Sequence, residues 1–310
     1  MDNILEIKNL NVGFQIEDNF YYALNDINLS FEKGKIHAIA GESGCGKSVL
    51  INTILKLLPK NGLVKTGEIL FKNQNILDLK NKEIRKIRGS KISLIPQDPF
   101  MSLNPLYTIE NQLLEVKNDI NAIKQALEEV KIKNIDNVLK SYPHELSGGM
   151  KQRVIIAMSL ISGSELILAD EPTTALDVTV SNSILNLLVE LKEKGKTIIL
   201  ITHDLSIVSS YCDTTTIMYL GNVVEKSNSN ILFKKPLHPY TKALLGALPT
   251  TKGKKLETIK GQISPITQII EGCKFNPRCN FTMEKCKNKK PELKKYNNSC
   301  CACFLYDQQV

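Results

Sequence analysis

One octet restricts the fold more than anything else in the chain. Gly41-Glu42-Ser43-Gly44-Cys45-Gly46-Lys47-Ser48 fits G-x-x-x-x-G-K-[ST] without deviation. On its own it is a glycine-rich turn, so its setting matters. Ahead of it, Ile36-His37-Ala38-Ile39-Ala40 reads as a short buried strand entered through a Lys33-Gly34-Lys35 turn; behind it, VLINTILKLL keeps helical spacing. A strand ending in a glycine loop that opens a helix lets backbone N–H groups converge on phosphate oxygens, helped by the helix's positive end. Gly41, Ser43, Gly44, Cys45, Gly46 and Val49 then make up the cradle. Lys47 reaches the β- and γ-phosphates, and the Ser48 hydroxyl takes Mg2+. A chance glycine turn explains neither flank.

The rest of the chain repeats the alternation. ILEIKNLNVGF and ALNDINLSF alternate apolar and polar residues, as half-buried strands do. Residues 67–95 read as two more strands around a polar stretch, and about 106–140 as largely helical. SELILADE and KTIILITHD are buried strands, separated by an amphipathic helix, VTVSNSILNLLVELKEKG, with a glycine stop. Such a chain is α/β, with a mostly parallel sheet covered on both faces, whose ligands bind beyond the carboxyl ends of the strands.

Two further stretches carry chemistry. Leu166–Glu171 is an apolar run ending in Asp170 and Glu171. Two carboxylates there are costly unless a cation or a reaction needs them. Downstream of a phosphate loop, Asp170 holds Mg2+ through its water shell and Glu171 is the general base toward water. A solvated strand end is the bland alternative. Leu146-Ser147-Gly148-Gly149-Met150-Lys151-Gln152-Arg153 opens another helix and offers a second anion site at its N-terminus, or else an ordinary capped helix.

LSGGMKQR ahead of LILADE closely resembles the signature of ATP-binding-cassette (ABC) ATPases. Gln97 in LIPQDP, Asp177 in TTALD and His203 in ITHD match the family's Q-loop, D-loop and H-switch, in the family's order across residues 41–204. The resemblance implies a P-loop NTPase cassette with an antiparallel β subdomain and a helical subdomain at about 100–160. It also implies an ATPase that works as a head-to-tail dimer. Ser147, Gly148, Gly149 and Gln152 would contact the partner's ATP. His203 would stabilise the γ-phosphate, and Gln97 would touch Mg2+ or the attacking water. An aromatic ring stacks on adenine in such proteins; Phe14 holds that position, with Phe20, Tyr21 and Tyr22 as competitors.

QDPFMSLNP, YPHELSGGMKQR, DEPTTALDVTV and HPYTKALLGALP narrow the resemblance to the ATPases of oligopeptide, dipeptide and nickel importers, and GLVKTGEILF to their D-type subunit. The implied role is to energise uptake of peptides, with nickel or a metal–chelator complex as the alternative cargo. The implied partners are a second, homologous ATPase in a heterodimer, two transmembrane permease subunits and an extracellular substrate-binding protein. The implied place is the cytoplasmic face of the membrane, as a peripheral subunit. The segment from Leu113 to Pro143 is about ten residues shorter than the family pattern, so a trimmed helical subdomain is expected.

The composition divides the chain into a body, 1–250, and a tail, 251–310. The chain carries +8, yet 251–310 alone holds 11 Lys and one Arg against five acidic residues. The body is therefore near neutral, too weakly charged to track nucleic-acid phosphates. That disfavours an ABC ATPase acting on DNA or ribosomes, and the intact Glu171 and His203 disfavour a binding module without turnover. A Lys-rich tail reads first as a solvated face, and otherwise as a membrane or partner contact. No apolar run approaches the ~20 residues of a membrane span, and the start lacks a signal peptide's apolar centre.

Six of the eight cysteines lie in the tail. Cys273-x5-Cys279-x6-Cys286, framed as GCKFNPRC, resembles the motif that binds a 4Fe-4S cluster in this family. Cys303 is favoured as the fourth ligand over Cys300 and Cys301. Zn2+ is one alternative, although these spacings are wider than its usual pairs, and a segment without any metal is the other.

Overall fold

The computed structural model describes residues 2–174, 176–248 and 259–307. The expected boundary at 250/251 falls outside them, as do Pro249 of HPYTKALLGALP and Ala175 of TTALD. The chain forms two compact units: Met1–Glu32 with His37–Asp78 and Ile201–Val310, and Lys33–Ile36 with Leu79–Leu200.

In the first unit, the strands Asn3–Ile16 and Asn19–Glu32 pair antiparallel, and Gly62–Phe71 and then Gln74–Asn75 extend the sheet. This is the antiparallel β subdomain. Ile7 and Leu10 are both buried although strict alternation puts them on opposite faces. A register shift between them turns both inward.

A second set of strands in this unit starts with Ile36–Ala40, parallel to Thr214–Tyr219 with His37 opposite Thr214. The hairpin Leu220-Gly221, both at positive φ, returns the chain into Asn222–Asn228. Beyond that strand lie Ser299–Cys301 and then Lys294–Tyr296, both antiparallel. The Cys-rich segment thus supplies strands to this sheet. It also supplies Phe275 to the core formed by Ala38, Ala40, Ile217, Tyr219 and Tyr240.

In the second unit, Ile92–Ile95 runs parallel to Leu166–Asp170, with Ile95 opposite Ala169. The helical segment comprises Ile109–Val116, Ile120–Glu129 and Ile135–Lys140. Thr108 and Asp119 cap the first two of these helices, and Ile109 with Leu113 and Ile123 with Leu127 form their buried stripes. Gly148–Ile161 and Val178–Glu193 are the longer helices of the unit. No helix among the described residues is long and apolar enough to cross a membrane.

Candidate functional site

Ile36–Ala40 is buried throughout and delivers the chain into the glycine loop, and the helix Lys47–Ile54 leaves it. Glycine is needed at both ends of the loop. A Cβ at Gly41 would stand 2.3 Å from the Met218 carbonyl oxygen, and Gly46 sits at φ +103 with the Ala23 carbonyl 2.9 Å from where its Cβ would be. Ser43, Gly44 and Ser48 are exposed, Val49 is half-buried and Cys45 is buried. Burial pushes the Cys45 thiol up, against the pull of Lys47, so it is a neutral packing group. Lys47, only 6% exposed, donates from Nζ to the carbonyls of Gly41 (2.8 Å) and Glu42 (3.0 Å).

His203 follows the strand Thr197–Thr202 and is exposed, with Asp204 capping the next helix through Ser206 N–H. Phe14 is half-buried in the Asn3–Ile16 strand, opposite Tyr21 and Gly62. Of its competitors, Phe20 is engaged edge-on by Tyr22 at 5.1 Å and carries Lys65 Nζ over its face at 4.3 Å.

In the second unit, Asp170 ends its strand half-buried and Glu171 follows at φ +45. A non-glycine residue held there costs on the order of 1 kcal/mol, a strain typical of functional sites. Gln97 Nε2 donates to Glu171 Oε2 at 3.3 Å, and Thr174 Oγ1 donates to the same oxygen at 3.1 Å. Gln97 and Glu171, named separately from the sequence, are therefore neighbours.

Ser147 caps the Gly148–Ile161 helix, its Oγ accepting from Met150 N–H. A Cβ on Gly149 would lie 2.5 Å from Val180 Cγ1, so the helix tip packs tightly there. Gln152 is wholly buried, and its amide has no hydrogen-bond partner among the described residues. Asp177 caps the helix Val178–Glu193, accepting from Val180 N–H at 2.9 Å.

Cys273, Cys279, Cys286 and Cys303 line one cavity, walled by Phe275, Phe281 and Phe304. Cys300 and Cys301 are held instead in the strand Ser299–Cys301. All eight cysteines are free. Burial, and after it the neighbouring thiols, pushes the Cys273 and Cys303 thiols up to about 11. Among the described residues, no group of three or more His, Cys, Asp or Glu side chains is placed so that it could hold a metal ion.

Several contacts were hidden in the sequence. Glu42 and Thr174 occupy unspecified motif positions, and Arg278 shows there only as part of GCKFNPRC. Glu225, wholly buried, accepts from Leu237 N–H and His238 N–H and so anchors the start of the Pro239–Gly246 helix. The proline after His238 was the one visible sign of that helix start.

Family comparison agrees with this arrangement. Residues 24–174 match the family described as ABC transporter, and 224–286 match the oligopeptide/dipeptide transporter C-terminal region. The oligopeptide transport ATP-binding protein OppD of Haemophilus influenzae is 41% identical, covering 96% of this chain and 95% of its own length. The dipeptide transport ATP-binding protein DppD of Bacillus subtilis is 39% identical, covering 100% and 97%. Among solved structures, a dimeric ATP-binding cassette bound to ADP and Pi superimposes with a TM-score of 0.65 at 29% identity, covering 73% of this chain and 98% of that one. With whole-length relatives at this identity and both family regions in place, the chain belongs to the ATP-binding subunits of ABC transporters, in the oligopeptide/dipeptide group.

Proposed function

We propose that this ABC ATPase energises the import of di- and oligopeptides across the cytoplasmic membrane, from its cytoplasmic face. The observation that carries the hydrolytic reading is the Glu171 carboxylate, held in a strained backbone and oriented by Gln97 and Thr174. A carboxylate whose orientation is fixed by two hydrogen bonds on one oxygen is positioned to take a proton from water.

The chain's residues divide the work. The loop from Gly41 to Val49 binds the phosphates through backbone N–H groups, with Lys47 released from the Gly41 and Glu42 carbonyls to reach the β- and γ-oxygens. Phe14 stacks on adenine. Ser48, Gln97 and Asp170 are the residues that would hold Mg2+, whose charge would offset that developing on the phosphates. Glu171 takes the proton of the attacking water, and His203 stabilises the γ-phosphate. Ser147, Gly148, Gly149 and Gln152 belong to the helix tip that meets the nucleotide of a second, homologous ATPase subunit. Asp177 of the D-loop fixes the start of the following helix. Two permease subunits and an external binding protein complete the assembly. The cassette occupies 1–250, with a helical subdomain at about 100–160, and the extension 251–310.

The cavity favours a further assignment. Four thiols around one apolar-walled space fit the donor set of a 4Fe-4S cluster held by Cys273, Cys279, Cys286 and Cys303. Zn2+, which four thiolates also bind, is the alternative occupant. The group would act as a structural staple.

The test is transport by the assembled complex. Peptide uptake and ATP hydrolysis should both vanish with Lys47→Ala and with Glu171→Gln, and growth of a deletion strain on peptides as sole amino-acid source should fail. Growth limited by nickel instead would overturn the peptide cargo.

A further inference from the structure

The glycine loop is gripped from behind. Arg278 forms a two-pronged pair with Glu42, Nη1 to Oε2 at 2.8 Å and Nη2 to Oε1 at 3.2 Å. The Arg278 side chain is only 7% exposed. Its remaining donors are also used: Nε to the Lys260 carbonyl at 2.8 Å, Nη2 to the Gly261 carbonyl at 3.2 Å and Nη1 to the Tyr219 hydroxyl at 3.4 Å. A planar fork bound on several sides is pre-organised, so it holds Glu42 in one place rather than following it.

The backbone of Glu42 is held as well. Its N–H donates to the Tyr240 hydroxyl at 3.0 Å. Tyr240 packs against Tyr219 (4.7 Å between centroids) and Phe275 (5.3 Å), which fixes the hydroxyl. The Glu42 carbonyl, in turn, accepts from Lys47 Nζ and from Cys45 N–H. One residue therefore joins the extension to the lysine of the loop.

We infer that Arg278 and Tyr240 are positioning residues for the phosphate loop, so that the C-terminal extension sets how tightly the loop holds nucleotide. The inference rests on the reading of Gly41–Ser48 as the nucleotide loop. Neither side chain touches the reacting atoms; each acts through Glu42. Arg278 stands next to Cys279, in the turn Asn276–Arg278, whose Asn276 N–H and Nδ2 both bond the Cys273 carbonyl. The thiol cavity and the glycine loop are thus connected through a single turn.

The test uses the assembled transporter and Mg·ATP, with Arg278→Gln, Glu42→Gln, Tyr240→Phe, the double Glu42→Gln/Arg278→Gln variant and the charge-reversed pair Glu42→Arg/Arg278→Glu. Loss of loop positioning weakens binding of substrate and transition state alike, so KM for ATP should rise about tenfold for either glutamine variant, with kcat changing less than about twofold. The double variant should be no worse than either single one, the reversed pair should recover part of the loss, and Tyr240→Phe should shift KM in the same direction by less. If Arg278→Gln does not assemble, Glu42→Gln carries the same test, because Glu42 is the more exposed member of the pair. KM within twofold of wild type in the glutamine variants, or additive effects in the double variant, overturns the inference. Lys47→Ala separates the two levels: if it binds Mg·ATP normally, the nucleotide reading itself has failed.

Discussion

Gln97 Nε2 lies 3.3 Å from Glu171 Oε2, so the residue of the Q-loop orients the carboxylate after the strand Leu166–Asp170. This makes the two residues separable by experiment. Glu171→Gln keeps the shape and removes the proposed base, so hydrolysis should fall by roughly 100-fold or more while Mg·ATP still binds. Gln97→Ala leaves the base and removes one of its supports, so it should lower kcat by a smaller factor. Steady-state hydrolysis together with equilibrium nucleotide binding checks both; turnover unchanged in Glu171→Gln removes the residue from its role.

Gly46 joins strain to close approach. Alanine there must adopt φ +103 with its Cβ 2.9 Å from the Ala23 carbonyl. Gly46→Ala should cost about 1–3 kcal/mol of stability and should abolish nucleotide binding. Gly195, also at positive φ but with open space around it, is the comparison: Gly195→Ala should bind nucleotide normally. Thermal melting with and without Mg·ATP reads both effects.

Asp177 caps the helix Val178–Glu193 through Val180 N–H at 2.9 Å. Asp177→Ala should destabilise the protein by about 1 kcal/mol, and Asp177→Asn, which can still accept, should restore most of that. Denaturant unfolding of the single variants decides whether the cap is intact in solution.

His238 gives a pH signature. It is buried, its Nδ1 accepts from Tyr240 N–H, and burial followed by the Lys242 charge depresses its pKa to about 3. Above the ordinary histidine pKa of ~6.5, folded and unfolded forms are both neutral and the site is indifferent to pH. As pH falls below that value the unfolded chain takes up a proton that the folded one refuses, so stability is lost progressively down to about pH 3. His238→Asn keeps an acceptor and removes the titration, so its unfolding free energy should fall less steeply over the same window.

The thiol cavity distinguishes Cys303 from its neighbours. Protein purified without oxygen should carry iron and inorganic sulfide, Cys303→Ser should lose most of both, and Cys300→Ser should retain them. Zinc in place of iron, lost in the same variant, would leave the ligand set standing and change the metal. Neither metal in wild-type protein rules the site out.

The local features were readable and the long-range ones were not. Ile36–Ala40, the loop and the helix Lys47–Ile54 are contiguous, and glycine spacing with helical periodicity is enough to find them. The cysteines were readable as a group because few other residues share their chemistry, and Cys303 lines the cavity while Cys300 and Cys301 sit in a strand. By contrast, Glu42 and Arg278 are 236 residues apart, one at an unspecified motif position and the other an arginine in a basic segment. No periodicity connects them; only the fold brings them together. The burial of Gln152 within its unit is likewise not legible in LSGGMKQR. The same holds for the tail, whose lysines suggest a solvated appendage although its Phe275 sits in the core.

The strand Asn222–Asn228 receives its outer neighbour from Ser299–Cys301. During synthesis, that flank therefore stays open until residues 294–301 have left the ribosome. A nascent cassette exposes unpaired backbone groups for that interval, and holding chaperones or premature pairing with another chain compete for them. Truncation before the Cys-rich segment should therefore yield insoluble protein rather than a smaller working ATPase.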